Sequence, residues 1–147
     1  MIKSLLNSSV LCFWIQLLSR KGVSSTLGKS VMVVDDSRVV HTEMKKLLAD
    51  TDFEIVGCCR SGEEAIAFYG EHKPDLVTMD IIMPGMDGLA AARAIIGNWP
   101  DARIIMVSSL AYDDTIDESV KIGAKGFIFK PLERTQLIHA LEHALTI

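Results

Sequence analysis

A short apolar run, Leu76-Val77-Thr78-Met79, is entered from Pro74-Asp75 and ends on the carboxylate of Asp80. The turn-forming stretch Met83-Pro84-Gly85-Met86-Asp87-Gly88 follows almost at once. A mainly apolar strand that stops at an acid reads as a buried parallel strand, with Asp80 at the carboxyl edge of a sheet. Open α/β folds place their ligand sites along that edge. One Asp in isolation could equally close a strand or cap a turn. The weight therefore falls on what the other strands carry.

From Ser30 onward the chain alternates between strand and helix patterns. Val31-Met32-Val33-Val34 is a β-branched-rich run ending in Asp35-Asp36. Ser37 is placed to cap a helix carrying Val40, Met44, Leu47 and Leu48 on one face. Glu54 to Cys59 reads as the second strand. Ser61-Gly62-Glu63-Glu64 has capping-box spacing and opens a second helix, which His72-Lys73-Pro74 ends. After the Leu76–Asp80 strand, a third helix is predicted from about Gly88 to Gly97. Arg103 to Ser108 is the fourth strand, and a fourth helix runs from about Asp114 to Ile122-Gly123. Gly126 to Lys130 is the fifth strand, cut off by Pro131, and a last helix spans about Glu133 to Leu145. Five strands alternating with five helices predict a flavodoxin-like, doubly wound parallel sheet of order 2-1-3-4-5. No further output domain is expected after the fifth helix.

With 147 residues, 49% of them apolar, the chain supports one domain with a real core. A net charge of −4 without a long basic run argues against direct nucleic-acid binding. Adjacent Cys58 and Cys59 point to opposite faces of a strand, which suits neither a mutual disulfide nor a metal clip. Buried thiols in a reducing compartment are expected instead.

Residues 1–29 differ from the rest. Lys3 precedes an apolar segment, residues 10–18, followed by Ser19-Arg20-Lys21-Gly22. The run is short for a bilayer span, and Arg20-Lys21 occupies the place of small cleavage-site residues. A leader tied loosely to the body is expected, with Val23 to Lys29 as a flexible linker and residues 30–147 as the folded domain.

The polar residues at the strand ends form one set. They are Asp35-Asp36 after strand 1, Asp80 on strand 3, Ser108 on strand 4 and Lys130-Pro131 on strand 5. In the predicted order these ends converge on one crevice at the switch point between strands 1 and 3. Three carboxylates there repel each other unless a cation joins them, and a hard, oxygen-ligated divalent ion, Mg²⁺, meets that need. Mg²⁺, a lysine and a hydroxyl suit phosphoryl oxygens, and a carboxylate can attack phosphorus.

Four stretches carry a family resemblance. They are Val33-Val34-Asp35-Asp36-Ser37, Met79 to Gly88, Val107-Ser108-Ser109, and Gly123 to Pro131. Over residues 30–147 the chain resembles the receiver domain of bacterial two-component response regulators, and within that family the stand-alone chemotaxis regulators of the CheY-like type. The resemblance implies that Asp80 accepts a phosphoryl group from a histidine kinase. It implies that Asp36 ligates Mg²⁺ directly, with Asp80 and the main-chain carbonyl of Ile82, while Asp35 acts mainly through water. Ser108 turns toward the phosphoryl group, Lys130 pairs with it, and the Lys130–Pro131 bond is cis. Phe127 is the aromatic switch. The face of the fourth helix, fifth strand and fifth helix, including Tyr112, Lys125 and Phe127, is the surface that partners read.

The resemblance further implies a cytoplasmic phosphoacceptor signalling protein, not an enzyme, with Mg²⁺-dependent self-phosphorylation and slow self-dephosphorylation. The implied target is a flagellar motor switch, with a separate phosphatase for reset. A single-domain phosphorelay intermediate and a receiver fragment of a longer regulator are the alternatives. One departure is Ser109, where the family usually has a smaller Ala or Gly; its extra bulk would narrow access to the phosphate.

Other chemistries fit less well. Phosphatases that use an aspartyl-phosphate usually carry a second Asp two residues after the nucleophile, and that position is Ile82. A flavin-binding relative would want a Ser/Thr/Gly phosphate loop where Asp35-Asp36 would repel the phosphate. His139 and His143 lie four apart on the last helix but lack a third ligand nearby in sequence.

Overall fold

The computed structural model describes residues 28–110 and 112–147. The expectations for residues 1–27 lie outside the described residues. The strands are β1 (Lys29–Val34), β2 (Phe53–Cys59), β3 (Leu76–Asp80), β4 (Ile104–Ser108) and β5 (Gly126–Phe129). The helices are α1 (Arg38–Leu47), α2 (Gly62–His72), α3 (Gly88–Asn98), α4 (Asp113–Ile122) and α5 (Arg134–Thr146). The sheet order is β2-β1-β3-β4-β5 and every pairing is parallel.

All residues of β3 and β4 are buried, as central strands covered on both faces must be. Alternation along the strands divides the core in two. Val31, Val33, Leu76, Ile105, Val107 and Ile128 pack with Met44 and Leu48 from the α1 segment and with Leu137 and Leu141 of α5. Met32, Val34, Val77, Met79, Ile104 and Met106 pack with Ala65 and Tyr69 of α2 and with Ala91 and Ile95 of α3. Polar strand-end groups are thereby left only at the edges of the sheet. Among the described residues, no helix is long and apolar enough to cross a membrane.

Three expectations are corrected. Lys29 is the first residue of β1, not the end of a linker; its N–H reaches the Asp52 carbonyl at 2.8 Å, a partner that lies far off in sequence. Ser37 occupies the N-cap of α1, but its side chain makes no capping bond. Instead its N–H donates to Asp35 Oδ1 at 2.9 Å. Cys59 is buried as expected, whereas Cys58 is exposed, because β2 is an edge strand with one lightly covered face. The Cys59 thiol is pushed up to about 11, by burial first and by the nearby Glu64 charge second.

The turn after β3 is held by two contacts. Gly88 N–H donates to the Ile81 carbonyl at 2.8 Å, and Asp87 caps α3 by accepting from Ala90 N–H at 2.8 Å. A Cβ on Gly88 would overlap the Asp80 main-chain carbonyl. Backbone cannot swing away as a flexible side chain can. Gly88→Ala is therefore expected to cost roughly 2–3 kcal/mol, read as a lower urea midpoint at unchanged slope. An unchanged midpoint would show that the turn yields freely.

Candidate phosphoacceptor and metal site

The sheet order brings the carboxyl ends of β1, β3, β4 and β5 side by side. Asp35 follows β1 directly and is buried; Asp80 is the last residue of β3 and only 5% exposed. The carboxylate oxygens of Asp35, Asp36 and Asp80 lie within 4.8 Å of one another. Ser108, the last residue of β4, is buried, and its Oγ accepts from Leu110 N–H at 3.1 Å. Lys130 follows β5, and its N–H donates to the Ser108 carbonyl at 2.8 Å. Its Nζ donates to Asp35 Oδ2 at 2.8 Å and stands 3.4 Å from Asp80 Oδ1. The Lys130–Pro131 peptide bond is cis.

The three acids differ in how they are held. Asp35 is engaged at both oxygens, by Ser37 N–H and by Lys130. No hydrogen bond or ion pair reaches the Asp36 carboxylate from the described residues. Asp75 shows the contrasting structural role at the opposite edge of the sheet. It accepts from Ser30 N–H and Ser30 Oγ, at 2.8 and 3.0 Å, and ties β1 to β3.

Electrostatics follow from this packing. Burial pushes the Asp80 carboxyl up to about 6, the Asp35 charge adds to the rise, and Lys130 partly offsets it. Burial pulls the Lys130 ammonium down, but the hydrogen bond to Asp35 and the charges of Asp80 and Asp35 outweigh it, so the net shift is upward. Three carboxylates against one ammonium leave the cluster short of positive charge. The donor set is all hard oxygen, closely spaced and shielded on one side by protein, and so fits Mg²⁺.

A pH dependence follows. An Asp80 that binds its proton more tightly in the folded protein must lose it before it can ligate a cation. With a folded value of about 6, Mg²⁺ affinity is expected to be about tenfold weaker at pH 5 than at pH 7. Calorimetric titrations at the two pH values check this, and equal affinities would refute it.

Two residues beyond Asp80 and Ser108 respectively, Ile82 is 55% and Leu110 42% exposed. Ser109 is exposed. Phe127 is half-buried and lies 5.2 Å, centroid to centroid, from Phe129, which is 45% exposed. Lys125, Phe127, Phe129, Gln136, His139 and His143 line a groove of about 380 Å³ between β5 and α5. Tyr112, before α4, is exposed. The His139 and His143 rings are 6.5 Å apart and join no third ligand group among the described residues.

Sequence reasoning did not single out Arg60, which follows β2. Its guanidinium donates to the Asp36 main-chain carbonyl from both Nε and Nη2, each at 3.3 Å. The available signal was the strand order, which sets the end of β2 beside Asp35-Asp36.

The response regulator receiver domain model matches residues 31–142, and the chain belongs to that family. It is similar to the chemotaxis protein CheY of Listeria monocytogenes, 41% identical over 114 residues that span 78% of this chain and 96% of the relative. Thermotoga maritima CheY is 38% identical over 115 residues, spanning 78% and 96% of the two chains. Among solved structures, a chain of the Borrelia burgdorferi CheX–CheY–BeF₃–Mg²⁺ complex superposes with a TM-score of 0.77 at 32% identity, covering 80% of this chain and 90% of that one. The response regulator domain of Thermotoga maritima CheB gives 0.75 at 32% identity, covering 80% and 96%. CheY-like receiver domains are phosphorylation-regulated signalling proteins rather than classical enzymes. They bind Mg²⁺ at an acidic pocket, take phosphate from a histidine kinase and bind downstream targets.

Proposed function

We propose that this chain is a chemotaxis-type response regulator that accepts a phosphoryl group on Asp80 and signals through phosphorylation-controlled protein binding. The observation that carries this reading is Lys130 Nζ set between Asp35 and Asp80 beside three clustered carboxylates. An Asp80 carboxylate oxygen forms a bond to phosphorus as the phosphorus–nitrogen bond of a phosphohistidine donor breaks, and the histidine leaves. Asp36, Asp80 and the main-chain carbonyl of Ile82 would hold Mg²⁺, with Asp35 acting through water. Bound there, the ion supplies charge neutralisation for the carboxylates and phosphoryl oxygens. Lys130 moves from Asp80 to a phosphoryl oxygen. Ser108 Oγ gives up the Leu110 N–H and donates to another. The Borrelia complex, which contains BeF₃ and Mg²⁺, supports the assignment by likeness.

Ser108 and Phe127 are the proposed switch. The α4–β5–α5 face, with Tyr112, Lys125 and the Phe127–Phe129 groove, is the proposed target surface, read by a flagellar motor switch. A cytoplasmic location goes with this reading, because the phosphodonor is a histidine kinase, and the proposed receiver unit runs from Lys29 onward.

Mg²⁺-dependent labelling by acetyl phosphate, without turnover of other phosphate esters, tests the reading. Labelling independent of Mg²⁺ would count against it. The ligand roles also make a prediction. Asp36→Ala is expected to weaken Mg²⁺ binding on the order of tenfold or more, and Asp35→Ala less, because Asp35 is already engaged by Ser37 and Lys130. Calorimetry decides, and undiminished binding in both variants would refute the site.

A further inference from the structure

We infer that Arg60 is a positioning residue for the metal site. It acts by pinning the main chain that carries Asp36. This rests on the Mg²⁺ reading above. Asp35 is fixed by its N–H on the Cys59 carbonyl at 3.0 Å, by Ser37 and by Lys130. The Asp36 side chain has no such anchor among the described residues. Its peptide carbonyl is held by the two guanidinium contacts of Arg60.

Arg60 is itself held from the other side. Its N–H donates to Glu64 Oε2 at 3.0 Å, and Ser61 Oγ accepts from Glu64 N–H at 3.1 Å. The start of α2 is thus a fixed post, and the guanidinium bridges from it to the β1–α1 loop. A planar donor that grips one carbonyl through two N–H groups restrains orientation as well as distance. Outer-shell groups of this kind set how well a ligand is aimed before the ion arrives.

A competing effect has the opposite sign. A guanidinium near a cation site repels the cation, so its removal would tighten binding. Arg60 is exposed, and its charge is screened by solvent and salt. Its donors are aimed at a carbonyl, not at the ligating carboxylate. Positioning therefore outweighs repulsion.

The test is Mg²⁺ titration calorimetry, with Mn²⁺ paramagnetic resonance as a second probe, on wild type, Arg60→Ala and Arg60→Lys at 150 mM salt. Arg60→Ala is expected to weaken the ion about fivefold, below the usual outer-shell range because Arg60 itself is exposed. Arg60→Lys keeps the charge but only a single-point grip, and is expected to recover part of the loss. Thermal unfolding in EDTA should change little in either variant, which separates aiming of the ligand from loss of fold. Equal or tighter binding by Arg60→Ala would overturn the inference and leave the metal site standing. A matching loss of EDTA stability would overturn it in favour of a structural role. Absence of Mg²⁺ and Mn²⁺ binding by wild type would overturn the metal reading and the inference with it.

Discussion

Asp80→Asn is expected to abolish incorporation of phosphate from acetyl phosphate, and in EDTA at pH 7 to make the protein more stable than wild type. The first effect is chemical. An amide oxygen carries no charge and cannot serve as the nucleophile that a carboxylate provides. The second effect comes from burial. A folded-state value of about 6 against 3.8 means that ionised Asp80 is destabilising, through desolvation first and the Asp35 charge second. The sign is fixed by that direction. The cost appears as pH rises from about 4 and is fully present above about 6, approaching ~3 kcal/mol as an upper bound. That bound already contains the offsetting attraction of Lys130, which stands 3.4 Å away, and relaxation of the surroundings lowers it further. A net gain of ~1–2 kcal/mol remains, or several degrees in Tm. Mg²⁺ should reverse the order, since the ion binds and stabilises only the carboxylate form strongly. Stoichiometric labelling of the variant at another residue would remove Asp80 from its role. A lower Tm than wild type in EDTA would remove the account of its buried charge.

The parts of the fold legible in sequence are those with local causes. Pro74 before β3 and the Asp80-to-Gly88 turn after it bound that strand to the residue. Gly123 ends α4 in a left-handed conformation, and Ser61 accepts the capping bond its spacing predicts. The alternation of strand and helix was enough to place Asp35, Asp36, Asp80, Ser108 and Lys130 along one edge, because each sits at a strand end and the order of strands does the rest. What escaped depends on partners distant in sequence. Lys29 joins β1 through Asp52, and Cys58 is exposed because of where β2 lies in the sheet. Ser37 gives its N–H to Asp35, so the cap expected of its hydroxyl is absent. Arg60 reads as an ordinary surface cation until β2 is set beside β1. Gly88 reads as a turn residue until the Asp80 carbonyl is found against it.

The lifetime of the phosphorylated state is set, on the same reading, by the rim over Asp80. Hydrolysis needs a water aligned opposite the departing Asp80 oxygen, and a polar side chain at the rim can hold that water. The candidate rim positions are Ile82 and Leu110, two residues after Asp80 and Ser108, both exposed while Asp80 is buried. In the unphosphorylated protein Leu110 N–H donates to Ser108 Oγ at 3.1 Å, which sets Leu110 beside the site. Neither side chain can accept a proton or orient water by hydrogen bonding, and their bulk would narrow the approach to phosphorus. Slow self-dephosphorylation is therefore expected, with fast reset left to a separate phosphatase. The double variant Ile82→Asn, Leu110→Glu is expected to lose phosphate on the order of tenfold faster, equivalent to ~1.4 kcal/mol of barrier. The carboxylate of the introduced Glu can take the proton and the amide of the Asn can orient the water. Because both positions are exposed, the substitutions leave the core intact, and equal Tm values for variant and wild type would check that. The measurement is decay of labelled protein after donor removal, with Mg²⁺ held constant. A wild-type decay as fast as that of the variant would show that the rim does not control the rate.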